Sequence, residues 1–362
     1  MDTVRELSKP GQALAPNAAT ATTNNPAWWI DGEVTPSRRR LHTRLLQEAR
    51  DAAPDVEQQR RAIVLAGPPG AGKSTVLADV LGEHRGKYLV IDADEFKRSL
   101  LREAQQDGSY DTWLMPDAIR EREAQGERFY PLELASLVHE ESSYLAKSLR
   151  ADAIAAGDNI VIDTVLSNQA DALALGQRLN EAGYDVRVID VEVPYELSEE
   201  RIRGRWEHAY TTALDGGDSL GGRWVPSEYA RDVFDGPGDR SKPEAAARAL
   251  AEQCPAVGRY RVFRTTAEEA RAADAEGRPA QATVEVDKSR SSRSATLSPI
   301  AAHRHPGRSA PSRSIGILRE RVDHRDELRS RDRHRVQQVI PVASVIRELL
   351  IALRDLAKQT AS

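Results

Sequence analysis

The sequence predicts an α/β fold of three layers, in which a five-stranded parallel sheet lies between helices, followed by a largely disordered C-terminal extension. Three observations carry this. Short apolar runs alternate with helical stretches between residues 62 and 264, the pattern of a parallel sheet covered on both faces. A glycine-rich turn follows the first apolar run directly and opens a helix. After about residue 285 the apolar periodicity stops, and Ser, Arg, His and Pro dominate up to Ser314.

Residues 1–35 are rich in Ala, Thr, Asn and Pro and are expected to form a disordered tail, with Trp28-Trp29-Ile30 as its one anchor. A helix is predicted over Ser37 to Ala52, where Leu41, Leu45 and Leu46 share a face. The first strand is Ala62 to Ala66, a short buried apolar run. The second is Tyr88 to Ile91, the third Asn159 to Ile162, the fourth Val186 to Val193 and the fifth Arg259 to Arg264. Between the second and third strands the chain reads as helical, broken at Asp107-Gly108 and near Pro116 and Pro131. Helices over Ala170 to Ala182 and Glu196 to about Tyr210 complete the alternation. The domain reading is a tail over 1–35, a catalytic domain over 36–270, a basic Ser/Arg-rich linker over 285–338, and an amphipathic helix over 339–358.

The chain has 362 residues, of which 40% are apolar and 30% charged, with a formal net charge of -5. Residues 288–335 hold 13 Lys or Arg against 5 acids, so the rest is acidic and is not expected to bind nucleic acid through bulk charge. Cys254 is the single cysteine, which excludes an intramolecular disulfide and fits a reducing compartment. No apolar run reaches the roughly 20 residues of a membrane span, and Met1 to Asn25 lacks the apolar core of a secretion signal. A cytoplasmic protein without membrane partners is expected.

The segment Gly67, Pro68, Pro69, Gly70, Ala71, Gly72, Lys73, Ser74, Thr75 fits G-x-x-x-x-G-K-[ST] without a mismatch. Its glycines let the backbone curl around a triphosphate, whose oxygens meet the N–H groups at the start of the next helix. Lys73 is placed to reach the β and γ phosphates, and the Ser74 hydroxyl to ligate Mg²⁺. ATP and Mg²⁺ are the expected cofactors.

Two further groups of residues bear on phosphoryl transfer. Asp92-Ala93-Asp94 closes the second strand, at the sheet edge where open α/β sheets place ligands. Asp94 is the expected base toward an acceptor hydroxyl; the competing reading is that both aspartates cap the next helix. Asp163 closes the third strand and is expected near the metal, as a Walker B acid is. Thr164, Ser167 and Asn168 follow it, as substrate contacts or as helix caps. Guanidinium groups stabilise the charge that spreads over a transferred phosphoryl group. Arg201, Arg203 and Arg205 lie on one helix, and 201 and 205 share a face. Arg223 follows a glycine-rich loop, Asp215 to Asp218, that is expected to act as a lid.

Taken together, the phosphate loop, Ile91-Asp92-Ala93-Asp94-Glu95-Phe96-Lys97, the strand ending in Asp163-Thr164, and Arg205 with Arg223-Trp224-Val225-Pro226 resemble the zeta toxin family of P-loop kinases over residues 40–265. The resemblance implies Lys73 on the phosphates, Asp94 as base, Arg205 and Arg223 on the transferred group, and Asp163 near the metal. It implies phosphorylation of the 3′-hydroxyl of a UDP-N-acetyl amino sugar by a toxin with an antitoxin protein as partner. The chain departs from the family's best-known pattern in two places. It has Thr164-Val165-Leu166-Ser167 where Gly-Thr-Gly-Arg would hold the sugar nucleotide, and Lys147 where a substrate-contacting Glu is expected. Two alternatives stay open at the level of sequence: a P-loop kinase of another hydroxyl acceptor, such as an antibiotic or a polynucleotide 5′-end, and a nucleotide-dependent regulatory protein without an acceptor.

Overall fold

The structure, a computed structural model, describes residues 2–300 apart from 239 and 279. A two-stranded hairpin, β1 (Trp29–Ile30) and β2 (Glu33–Val34), precedes the main sheet. The sheet is built from β3 (Arg61–Ala66), β4 (Leu89–Asp92), β5 (Ile160–Asp163), β6 (Asp185–Glu192), β7 (Val257–Arg264), β8 (Thr283–Ser289) and β9 (Ser298–Pro299). Its strand order is β4-β5-β3-β6-β7-β8-β9. The first five in that order are mutually parallel, as expected, and β8 and β9 extend the edge in antiparallel pairing.

The helices are α1 (Asp2–Leu7), α2 (Pro36–Asp51), α3 (Lys73–Leu81), α4 (Ala93–Asp107), α5 (Asp117–Ala124), α6 (His139–Ala156), α7 (Gln169–Glu181), α8 (Tyr195–Leu214), α9 (Ser227–Asp232), α10 (Lys242–Gln253) and α11 (Ala267–Ala275). The helical breaks fall at Gly108, Pro116 and Pro131, where Gly108 takes a left-handed conformation and a 3₁₀ turn runs over Pro131–Val138. Alternation along the strands divides the core into two faces. Ala62, Val64, Ile160 and Ile162 face α4, α6, α7 and α10, through residues such as Leu100, Leu145, Leu175 and Leu250. Ile63, Leu65, Val161 and Ile189 face the opposite side, against Val76, Leu77 and Leu81 of α3.

Two boundaries differ from the sequence reading. The N-terminal residues are not a loose tail. Val4, Leu14, Ala15 and Ala21 are buried, the Trp113 indole N–H donates to Ala21 O, and the Ser136 hydroxyl donates to Leu14 O. Small residues pack closely here, and successive turns satisfy their own backbone groups, with Leu14 N–H on Leu7 O and Ala18 N–H on Ala15 O. Tertiary contact thus outweighs a composition that favours disorder. The second difference is at residue 285, which falls inside β8. That strand pairs with β7 over Thr283 to Ser289, and Arg259 and Arg264 form ion pairs to its Asp287 and Glu285. The linker beyond residue 300 and the helix expected over 339–358 lie outside the described residues.

Candidate active site

The C-terminal ends of β3, β4, β5, β6 and β7 form one edge of the sheet, and every residue expected to act on phosphate is at or beside that edge. Gly67 follows β3 with φ of 130°, and a Cβ there would stand 2.2 Å from the Val191 carbonyl oxygen of β6. Gly70 has φ of 75°, and its Cβ would meet the Ser198 carbonyl oxygen at 2.8 Å. Both positions therefore require glycine for space as well as for conformation. Helix α3 begins at Lys73, so the N–H groups that open its first turn, ahead of the Thr75 N–H bonded to Gly72 O, lack intrahelical acceptors. The hydroxyl-bearing Ser74 and Thr75 are exposed on that turn.

The Lys73 ammonium donates to Gly67 O at 3.0 Å, folding back across the loop. Burial pushes its pKa down, Asp163 and Asp92 hold it up, and Arg223 and Arg205 depress it further. These five side chains therefore share one electrostatic field, which brings together the cation, the metal-side acid and both arginines expected from the sequence.

Asp92 and Asp163 are register partners on β4 and β5. Burial, reinforced by Asp163 and Glu95, pushes Asp92 up to about 6, against the pull of Arg223 and Lys97. Burial also raises Asp163, which Lys73 opposes. Asp92 caps α4, accepting from Asp94 N–H at 2.8 Å, so the capping role belongs to Asp92 alone of the two. Asp94 is more open. Its carboxylate pairs with Lys97 Nζ at 3.0 Å and with the Arg223 guanidinium. Lys97 sits one helical turn after Asp94, and burial lowers its pKa to about 8. The D-x-D-x-F-K spacing carries this pair, although the sequence alone gives Lys97 no role.

Arg223 is delivered by a docked segment that follows the Asp215–Asp218 loop. Leu220 is buried, and its carbonyl accepts from Leu132 N–H at 2.9 Å. The backbone at Gly221 and Gly222 lies against Tyr130 and Trp206, too close for a side chain at either position. These two glycines thus serve close packing. Burial raises the pKa of Tyr229 on α9, and Ser167 and Arg223 oppose the rise. The Thr164 hydroxyl accepts from Leu166 N–H at 3.2 Å, closing a turn in which Leu166 has φ of 58°. Lys147 is exposed on α6, and its charge is felt at His139.

On the other side of the phosphate loop, a cavity of about 300 Å³ opens between the ends of β6 and β7, lined in part by Val193, Pro194, Phe234, Thr265 and Thr266. Its polar wall holds Arg240, Glu244, Arg264 and Glu192, whose carboxylate accepts from the Ser241 hydroxyl at 2.8 Å. Burial raises both Asp190 and Glu192. The phosphate loop is therefore flanked by acids and arginines over β4 and β5, and by a cavity of mixed apolar and charged lining over β6 and β7.

Mg²⁺ takes hard oxygen ligands, commonly one or two carboxylates with phosphate and water. Asp163 and Asp92, two desolvated carboxylates side by side, together with the exposed Ser74 hydroxyl, fit that donor set. None of the described helices is long and apolar enough to cross a membrane.

Comparison with known proteins bears on this arrangement. No curated protein matches the chain. Among solved structures, the complex of AvrRxo1-ORF1 and -ORF2 with ATP is similar at 22% identity, with 71% of this chain and 68% of that chain covered and a TM-score of 0.44. A structure from the PezAT chromosomal toxin–antitoxin system of Streptococcus pneumoniae is similar at 17% identity, covering 64% of this chain and 79% of that one at a TM-score of 0.42. The family model for zeta toxin matches residues 43–270, a span that holds the phosphate loop, both strand-end acids and both arginines. That is well over half of the chain, and the protein belongs to the zeta toxin family, a family of P-loop kinases.

Proposed function

We propose that the protein transfers the γ-phosphoryl group of Mg-ATP to the 3′-hydroxyl of a UDP-N-acetyl amino sugar, as a toxin countered by an antitoxin protein. The observation that carries the reading is the meeting of Lys73, Asp92, Asp163 and Arg223 at one sheet edge, with Asp94 paired to Arg223 at its open side. A nucleotide-dependent switch needs the phosphate loop but has no use for a carboxylate on the acceptor side. Membership of the zeta toxin family supports the acceptor and the antitoxin.

In this mechanism the loop N–H groups and Lys73 hold the β and γ phosphates. The cavity between β6 and β7, with Val193, Pro194 and Phe234 in its wall, takes the base. Asp163 and Ser74 would hold Mg²⁺, with Asp92 beside them, and the bound ion would neutralise phosphate oxygens. Asp94 accepts the proton of the acceptor hydroxyl as its oxygen bonds to the γ phosphorus. The bond from that phosphorus to the bridging oxygen breaks, and ADP leaves. Arg223 and Arg205 stabilise the charge on the three γ oxygens.

The test is ADP release measured with and without a panel of acceptors: UDP-N-acetyl amino sugars, aminoglycoside-type hydroxyl compounds and 5′-hydroxyl oligonucleotides. Stimulation by the UDP-sugars alone is expected. Stimulation by another member would move the reading to that acceptor, and no stimulation by any would remove the kinase reading. Lys73→Ala should abolish turnover while the melting temperature is kept.

A further inference from the structure

We propose that Arg201 is a positioning residue: together with Ser198 it fixes helix α8 to the carbonyl side of the phosphate loop, and this sets where Arg205 stands. The inference rests on the kinase reading and goes beyond the residues that reading employs.

A loop that turns its N–H groups inward to phosphate turns its carbonyls outward, and those carbonyls need donors. Three consecutive ones find them on α8. The Ser198 hydroxyl, fully buried, donates to Pro69 O at 2.6 Å. The Arg201 guanidinium donates to Gly70 O and Ala71 O, both at 3.3 Å. The backbones meet as well, since only the missing side chain of Gly70 lets the loop approach Ser198 O so closely. Helix and loop are therefore registered against each other by two side chains and one steric contact.

Ser198, Arg201 and Arg205 stand at i, i+3 and i+7, one face of a helix. Arg205 lies about 10 Å along the axis from Ser198, and its charge is felt at Lys73. The face that grips the loop at one end thus presents an arginine to the site at the other. A change in the grip shifts Arg205 relative to the γ position. Arg201 itself is already committed to the loop carbonyls, which separates its role from that of Arg205.

The experiment measures calorimetric affinities for ADP and for the β,γ-imido analogue of ATP, with Mg²⁺, in the full chain. The wild type should prefer the triphosphate. Arg205→Gln should reduce that preference by about fivefold or more, the lower end of usual coupling between sites. Arg201→Gln should reduce it by the same factor, with ADP affinity kept within about twofold. The double variant should be no worse than Arg205→Gln, because one residue acts through the other. Arg201→Lys, which keeps the charge and a long donor-bearing side chain, should restore part of the preference and serves as the test if the glutamine variant does not fold. Equal weakening of ADP and the triphosphate analogue by Arg201→Gln would overturn the proposal, as would additive losses in the double variant. A wild type that binds neither nucleotide would overturn the kinase reading itself.

Discussion

Asp92 and Asp163 stand side by side at the ends of neighbouring parallel strands, and burial raises the pKa of both. Two desolvated carboxylates in register oppose folding at neutral pH unless a cation joins them. The raised Asp92 pKa of about 6, against 3.8 for the ordinary carboxyl, sets the sign. The folded state binds the proton more tightly, so the stability linked to this group is full below pH 3.8 and lost as pH rises through 6. Without Mg²⁺, Asp92→Asn should therefore be more stable than the wild type at pH 7.5 by about 1–2 kcal/mol, allowing for solvent screening. The difference should vanish toward pH 4. Denaturant melts in a chelating buffer at both pH values check this.

Asp94→Asn removes the proposed base while keeping the size of the side chain. Phosphotransfer should fall by about 10² or more, with nucleotide affinity retained. The comparison with Asp92→Asn is decisive, since Asn at 92 can still cap α4 through its side-chain oxygen. Full activity in the Asp94 variant with loss in the Asp92 variant would transfer the role of base to Asp92.

The strand β8 makes a sharp prediction about the end of the catalytic unit. A chain ending at Ile300 should melt as the full protein does and keep its activity. A chain ending at Ala282 loses β8 and with it the Arg259–Asp287 and Arg264–Glu285 pairs. It also leaves β7 as an open edge. Its melting temperature should fall, or it should aggregate; calorimetry and light scattering on the two chains separate the cases.

Glu141 is fully buried on α6 and accepts from Arg38 at 2.6 and 2.8 Å and lies 2.6 Å from the His42 ring nitrogen, both residues on α2. Although burial opposes it, the hydrogen bonds from Arg38 and His42 bring its pKa down to about 2. Glu141→Gln would leave a buried guanidinium without its counter-ion. A loss of about 3–5 kcal/mol is expected, measured by denaturant unfolding, while nucleotide affinity of the folded fraction is unchanged.

The centre of the parallel sheet and its edge were legible because three strands are short apolar runs with an acid or glycine at the end: Ala66 before Gly67, Ile91 before Asp92, Ile162 before Asp163. β8 was not, because Thr283-Val284-Glu285-Val286-Asp287 is half exposed and charged, and what pairs it is a distant strand. The hairpin at Asp31-Gly32 carries a strong turn signal, hidden in a segment whose composition speaks for disorder. The grip of α8 on the loop has no sequence motif at all. Ser198 and Arg201 look like ordinary helix residues until their partners, 129 and 131 or 130 positions earlier, are in place. The packing of Gly221 and Gly222 was hidden for a related reason: glycine's freedom and glycine's small size leave the same letter in the sequence, and only Tyr130 and Trp206 decide between them.

The contact between Gly67 and Val191 makes one position answer to two demands. A side chain at 67 would push β6 away from β3 before any nucleotide arrived. Saturation mutagenesis selected only for abundance of folded protein should deplete every substitution at 67, while leaving the exposed Ser74 free to vary. The same library selected for toxicity should deplete both. A signature motif is usually inherited as one unit; in this chain its first glycine belongs to the architecture and its serine to the chemistry, and the two can be told apart by what each selection discards.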